Sequence, residues 1–440
     1  MSSPLSDVPK VELHVHLDGS FDAELLFAAA RRGLAANQLP KIHAEPIAAC
    51  GDDLAAFKRL VTCLPEERSL KAMLDKFMLF LPIVQGDLEL IEALAHRFVK
   101  QQAEQNIIYT EVRYSPHILT SAASFEFDES TGERKPGASA RDDDEAKAVV
   151  DAVTRGLRRG CAEHPGTEVA QILCFIDGKP QWTDALTELA AAERQATASS
   201  LAETPEKALP MCPVVAVDVA AGEAHFADAS GANGAAHRKA MCRCRELGLG
   251  LTNHAGESGP AANVAVASQA PYGAATRIGH GYAAVIEGLQ CAKAAKPPSA
   301  AGEAVTAAEM VDVLRAMGIA DGLTMECCPT SSKATGGVPE GPWTEHPAAT
   351  LSQLFADAEA AGDAAAAAAL PRVTISSDDP AVFASSLTEE LAIAVDKMGL
   401  SHAALRRAMF NAVDGSFLPP AARVRLRRRL EEAWPVAASS

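Results

Sequence analysis

No stretch of this sequence is both long and free of charge, so none predicts a membrane span. The nearest, residues 356–370, is rich in alanine but interrupted by Asp357, Glu359 and Asp363, and reads as a surface helix or an insertion. Residues 1–10 hold neither a basic cluster nor an apolar run, so no secretory signal is expected and a cytoplasmic setting follows. Cys-x-x-Cys pairs are missing as well. The 10 cysteines are scattered, and the tight pairs Cys242/Cys244 and Cys327/Cys328 fit neither a zinc knuckle nor a disulfide framework. Positive charge is scarce: 40 Lys plus Arg stand against 57 Asp plus Glu, a net charge of −17. Such a surface repels nucleic-acid backbones and suits a neutral small molecule.

What is present is ordinary for a globular chain, with 48% hydrophobic and 22% charged residues over 440 positions. Short apolar runs rich in β-branched residues recur with helix-like stretches between them. Eight can be counted: Val11 to His16, Ile107 to Arg113, Val169 to Ile176, Val214 to Val219, Leu249 to His254, Thr276 to His280, Leu323 to Cys327 and Val373 to Asp378. The pattern predicts an α/β fold, a TIM-like eight-fold β/α barrel forming one domain over residues 1–440. A doubly wound open sheet is the competitor, but it gathers only residues near a switch point. Polar constellations end the first, fifth, sixth and eighth runs, and a closed ring brings such ends together at one mouth. Residues 121–145, 224–236, 293–304 and 356–370 fall between runs and are expected to be surface insertions without a catalytic part.

Four segments carry the chemistry: His14-Val15-His16, His254-Ala255-Gly256-Glu257, Arg277-Ile278-Gly279-His280-Gly281 and Ser376-Ser377-Asp378-Asp379-Pro380. On a strand, His14 and His16 project to the same side and can grip one ion. A single Zn²⁺ needs three or so nitrogen or oxygen ligands and an open position, and three histidines with one aspartate from these segments supply that set. Gly279 and Gly281 let backbone approach His280 closely. Glu257 follows His254 by three positions, beyond a glycine that permits a tight turn, so it can face the same cavity without binding the ion. Leu70, Met73, Leu74 and Phe77 share one helix face, either core packing or an apolar lid.

Pro9 to Gly19, Glu111-Val112-Arg113-Tyr114-Ser115-Pro116-His117, His254-Ala255-Gly256-Glu257, Gly279-His280-Gly281 and Ser377-Asp378-Asp379-Pro380 together resemble the adenosine deaminase family, in family order and nearly end to end. Asn411, Ser416, Phe417 and Leu418 extend the resemblance toward the C-terminus. It implies one Zn²⁺ per chain held by His14, His16, His254 and Asp378, and conversion of adenosine and 2′-deoxyadenosine, with water, to inosine-type products and ammonia. It implies that His280 orients or deprotonates the attacking water, that Asp378 touches that water, and that Glu257 protonates purine N1. His16, Asp18, Gly222 and Asp379 would contact substrate: Asp18 at the ribose 5′-hydroxyl, the Gly222 amide at N3 and Asp379 at N7. A carboxylate at Asp18 disfavours a 5′-phosphate. The expected partners are a purine nucleoside and water, with no nucleic acid or membrane, in a monomer or weak oligomer. Relatives acting on adenine, AMP or N6-methyl-AMP, or a silent nucleoside-binding relative, are the alternatives. Two-metal barrels often carry a bridging lysine at the fourth strand, and Val214 to Gly222 has none; the Pro-Cys-x-x-Cys pattern of cytidine deaminases is also missing. Asp177-Gly178 and Met73 depart from the family pattern.

Overall fold

A computed structural model describes residues 5–434 except 37–38, 40, 122–138, 204–210, 228–229 and 298–301. The apolar runs are parallel strands: β1 (Lys10–His16), β2 (Ile107–Tyr114), β3 (Glu168–Ile176), β4 (Val214–Ala220), β5 (Gly250–Leu251), β6 (His254–Ala255), β7 (Arg277–His280), β8 (Thr324–Cys327) and β9 (Arg372–Ile375). They pair in chain order, β1 to β5 in one set and β6 to β9 in the other.

The ring closes at its two weakest points. Across the first and last strands, Val15 bridges Asp378, with His16 N donating to Asp378 O at 2.8 Å and Asp378 N donating to His14 O at 3.0 Å. The fifth run, expected as one strand from Leu249 to His254, is instead broken in two. Thr252 N still donates to Val217 O (3.1 Å), whereas Asn253 O already accepts from Gly279 N (2.8 Å), so the stave changes partners in its middle. Among the described residues nine strands thus make eight staves, and β5 holds the fourth while β6 holds the sixth. The eighth run likewise stops pairing as a strand at Ile375, leaving Asp378 joined only by its bridge.

Strand residues are almost wholly buried on both faces, as a parallel sheet wrapped by helices requires. The crossovers include Leu88–Glu104, begun by the Asp87 side chain accepting from Leu90 N at 2.9 Å, and Ser139–Glu163, against which it packs. Residues 139–145, assigned to an insertion from sequence, are the first turns of that second helix; the rest of 121–145 beyond Ser121 lies outside the described residues. Residues 224–236 also differ from the expected loop. They form the short helix Ala224–Ala227 and the opening of the crossover helix Ala232–Glu246. Small residues with Asp and His suggest a loop, but tertiary packing of Gly234, His237 and Ala240 holds the helix. The segment 293–304 starts in the end of helix Tyr282–Ala295 and then includes residues outside the description. Residues 356–370 are helical in two pieces, Pro347–Ala361 and Ala364–Ala369, separated by Gly362. Among the described residues no helix is long and apolar enough to cross a membrane.

Candidate active site

His14, His16, His254 and Asp378 end three different staves, yet one donor atom from each lies within 4.8 Å of the others. Nε2 of His16 and Nε2 of His254 face each other at 3.4 Å, and His14 Nε2 stands 3.1 Å from Asp378 Oδ1. Like-charged or lone-pair atoms crowd this way, away from water, when a cation sits among them. His14 Nε2 is buried with no hydrogen-bond partner among the described residues. The donor set, three imidazoles and a carboxylate, is the chemistry of a catalytic zinc centre, so the residues fit the metal that the sequence implies.

The far nitrogens of two imidazoles are pinned. His14 Nδ1 meets Glu326 Oε2 at 2.7 Å, and His254 Nδ1 meets Asp218 Oδ2 at 3.0 Å. A carboxylate there fixes the tautomer and makes the opposite nitrogen a better donor to a metal. Burial works against a charged His254, but the Asp218 carboxylate prevails and raises it to about 9; burial holds His16 well below its usual value. Burial also opposes a charged Asp378, yet His14, His280 and His16 around it keep the carboxyl well below the usual range.

These carboxylates belong to an ionic lattice filling the barrel axis. Arg113 Nη1 donates to Asp218 (2.7 Å) and Nη2 to Glu326 (2.7 Å), while Arg277 Nε donates to Glu326 (2.5 Å) and its Nη1 to Glu111. All five side chains are inaccessible to solvent. Glu326, Asp218 and Arg113 were not singled out as functional from sequence. The available signal was a charged residue at the centre of an apolar strand, since such a strand buries both faces and an unpaired ion there would be prohibitively costly.

Glu257 and His280 complete the cavity. His280 Nε2 lies 3.6 Å from Glu257 Oε2 and 3.8 Å from Asp378 Oδ2. Burial pushes Glu257 up to about 8, helped by the charge of Asp378, and its Oε1 has no hydrogen-bond partner among the described residues. Asp379 is driven well above the carboxylate range by burial and by Asp378, Asp18 and Glu257. It fits only because residue 19 is glycine: a Cβ there would lie 1.7 Å from Asp379 Oδ1. Burial raises Asp18 to about 7. Backbone strain gathers here too, with His280 at φ 65°, Asp378 at φ 63° and Ala221 at φ 73°, all in the left-handed region that costs a side-chain-bearing residue about 1–2 kcal/mol.

One cavity of about 250 Å³ is lined by three of the four cluster residues, His14 being the exception, and by none of the ionic lattice beneath them. His16, Asp18, His254, Glu257, His280, Asp378 and Asp379 form its floor, and Leu70, Met73, Leu74 and Phe77 of helix Leu70–Val84 lie across it. Those four residues therefore line the cavity as well as packing on the core. Gly222 lines it beside Ala221, and the left-handed residue of that turn is Ala221 rather than the glycine. Asp177 has a structural part: its carboxylate accepts from Ala224 N (2.8 Å), His225 N (3.0 Å) and Asn233 Nδ2 (2.7 Å), fixing the turn after β4. A larger cavity of about 490 Å³ opens on the other side of Asp18, between Phe98, Gln102 and Ser386, and none of the cluster's imidazoles reaches it.

The molecule is a parallel β/α barrel with imidazoles and a carboxylate converging at the C-terminal mouth, the class of fold that places an active site there. Within that class, the chain belongs to the adenosine deaminase family, whose sequence pattern matches residues 9–433. It is 29% identical to an adenosine deaminase of Xenopus tropicalis over 434 residues, covering 99% of this chain and 98% of the relative. In three dimensions it is similar to an adenine deaminase of Arthrobacter aurescens (TM-score 0.62, 19% identity, 97% of this chain and 98% of that one). It is also similar to the N6-methyl-AMP deaminase of Arabidopsis thaliana (TM-score 0.61, 19% identity, 98% of each). The protein is thus a deaminase-family hydrolase with a metal-binding cluster.

Proposed function

We propose that the chain deaminates adenosine and 2′-deoxyadenosine by hydrolysis, with one Zn²⁺ held by His14, His16, His254 and Asp378. A divalent cation in such a set lowers the pKa of a water toward neutrality and so supplies a nucleophile. The remaining chemistry is the protein's. Attack at purine C6 requires N1 to gain a proton, because protonation breaks the ring's aromaticity and makes the carbon electrophilic. Glu257, raised to about 8 by burial, carries that proton at neutral pH. His280, between Glu257 and Asp378, orients or deprotonates the incoming water. Asp379, whose carboxyl is raised by burial and then by its acidic neighbours, hydrogen-bonds N7. Asp18 accepts from the ribose 5′-hydroxyl, and an amide of the Ala221-Gly222 turn serves N3. The apolar helix Leu70–Val84 shields the site from bulk water.

The choice of a nucleoside over a nucleotide rests on one observation. Among the described residues, those lining the cavity include Asp18, Asp75, Asp378 and Asp379 but neither lysine nor arginine. A 5′-phosphate beside Asp18 would meet acidic side chains with no described lysine or arginine to pair it. The cavity, at about 250 Å³, is also just below the ~300–1,000 Å³ usual for ligand pockets, which suits nothing larger than one base with its sugar. The test is a panel of adenosine, 2′-deoxyadenosine, adenine, AMP and N6-methyl-AMP with zinc-loaded protein, followed by loss of aminopurine absorbance. The two nucleosides should react fastest. Faster turnover of either nucleotide, or of free adenine, would overturn the assignment.

A further inference from the structure

Glu223 makes no ion pair among the described residues, yet its carboxylate is saturated. Oε1 accepts from Glu257 N (2.9 Å), Ser258 N (2.9 Å) and Gly259 N (3.1 Å), and Oε2 accepts from Gly256 N (2.8 Å) and Asn263 Nδ2 (2.7 Å). Four consecutive amides thus converge on one side chain. Such a concave row of N–H groups is an anion nest, here filled by the protein's own carboxylate. Burial opposes the charge, but Asn263 and the amides outweigh it and keep Glu223 below the usual range, hence ionised.

The turn so gripped is the one that bears Glu257. Gly256 enters it at φ 71°, a conformation open to glycine at little cost. Beyond Gly259 there is no slack: a Cβ on that residue would lie 2.5 Å from Glu223 Oε2. Glu223 is in turn fixed from the other side, because Asp177 at the end of β3 holds the amides of Ala224 and His225 that follow it. Ala221 and Gly222, just before it, line the cavity. One short loop therefore carries both a wall of the cavity and the anchor of the Glu257 turn.

We infer that Glu223 is a positioning residue: it sets where the Glu257 carboxyl stands relative to the base and makes the substrate wall and the acid move as one body. The inference rests on the reading of Glu257 as proton donor. Its basis is that Glu257 Oε1 finds no hydrogen-bond partner among the described residues, so the tip is held on one side only, by Thr335 and the nearby His280, and the backbone must set the rest of its position. A shift of about 1 Å in such a group costs on the order of 10²-fold in rate.

The test compares wild type with Glu223→Gln, nearly isosteric but presenting an NH₂ group to a ring of donors. The expected result is a kcat for adenosine lowered about 10- to 100-fold, KM within about 3-fold of wild type, bound zinc still one per chain, and faster hydrogen exchange at the amides of residues 256–259. If Glu223→Gln does not fold, Asn263→Ala, which removes a single donor and keeps the carboxylate, should give the same changes in smaller degree. Unaltered kcat, unaltered exchange, or a loss of zinc in step with activity would overturn the inference. Wild-type protein inert toward adenosine would instead refute the proposed reaction, and exchange at residues 256–259 would still decide whether Glu223 holds the turn.

Discussion

Glu326 Oε2 lies 2.7 Å from His14 Nδ1 and, on its other flank, 2.7 Å from Arg113 Nη2, so a single carboxylate orients a histidine of the cluster and neutralises the centre of the barrel. Glu326→Gln should therefore fail in two ways. Zinc affinity should fall about 10- to 100-fold, the usual effect of losing such a partner, as read by competition with a chromogenic chelator. Stability should fall by about 3–5 kcal/mol, because Arg113 and Arg277 would be left buried with too little counter-charge, as read by urea unfolding. A variant with wild-type affinity and stability would show that the lattice is incidental.

Removal of the metal should loosen the mouth of the barrel, where close-set donors face one another. Chelation should lower Tm and abolish turnover, and one equivalent of Zn²⁺ per chain should restore both. At free ion about 1,000 times Kd the stabilisation is about 4 kcal/mol. Restoration requiring two equivalents would point to a two-metal site.

The pH dependence follows from Glu257. As an acid it works while it holds its proton, and burial keeps that proton on up to about pH 8. Turnover should accordingly hold through neutrality and fall as pH rises through about 8. Glu257→Gln should lower kcat by about 10²- to 10⁴-fold with zinc content unchanged. Full activity in that variant would remove Glu257 from the reaction.

Asp18 is tested by pairing a variant with an altered substrate. A hydrogen bond to a charged group is worth about 1.5–3 kcal/mol, so Asp18→Ala should reduce kcat/KM for adenosine by about 10- to 100-fold. For 5′-deoxyadenosine, which has no 5′-hydroxyl, the same change should have little effect. Equal losses on both substrates would place Asp18 in the scaffold rather than against the sugar.

The turn after β4 predicts opposite outcomes at neighbouring positions. Ala221→Gly should be tolerated or stabilise by up to about 1 kcal/mol, since Ala221 sits at φ 73°. Gly222→Ala should destabilise by about 1–3 kcal/mol, because its Cβ would lie 2.7 Å from Asp177 Oδ2, an atom already committed to Ala224 N. Thermal melts of the two variants decide this, and a Gly222→Ala protein as stable as wild type would contradict it.

The sequence by itself determined the barrel and the membership of the metal cluster. Strand periodicity is local, and chemically rare residues such as His14, His16, His254 and Asp378 declare themselves wherever they stand. Only the tertiary structure decided how those residues are held. That the fifth stave breaks at Asn253, that Ala224–Ala227 and Ala232–Glu246 are helical, and that Glu326, Asp218 and Glu223 reach across the mouth to His14, His254 and the Glu257 turn all depend on partners roughly 30 to 300 positions away. A carboxylate's meaning lies in which donors surround it, and those donors meet it only once the ring has closed.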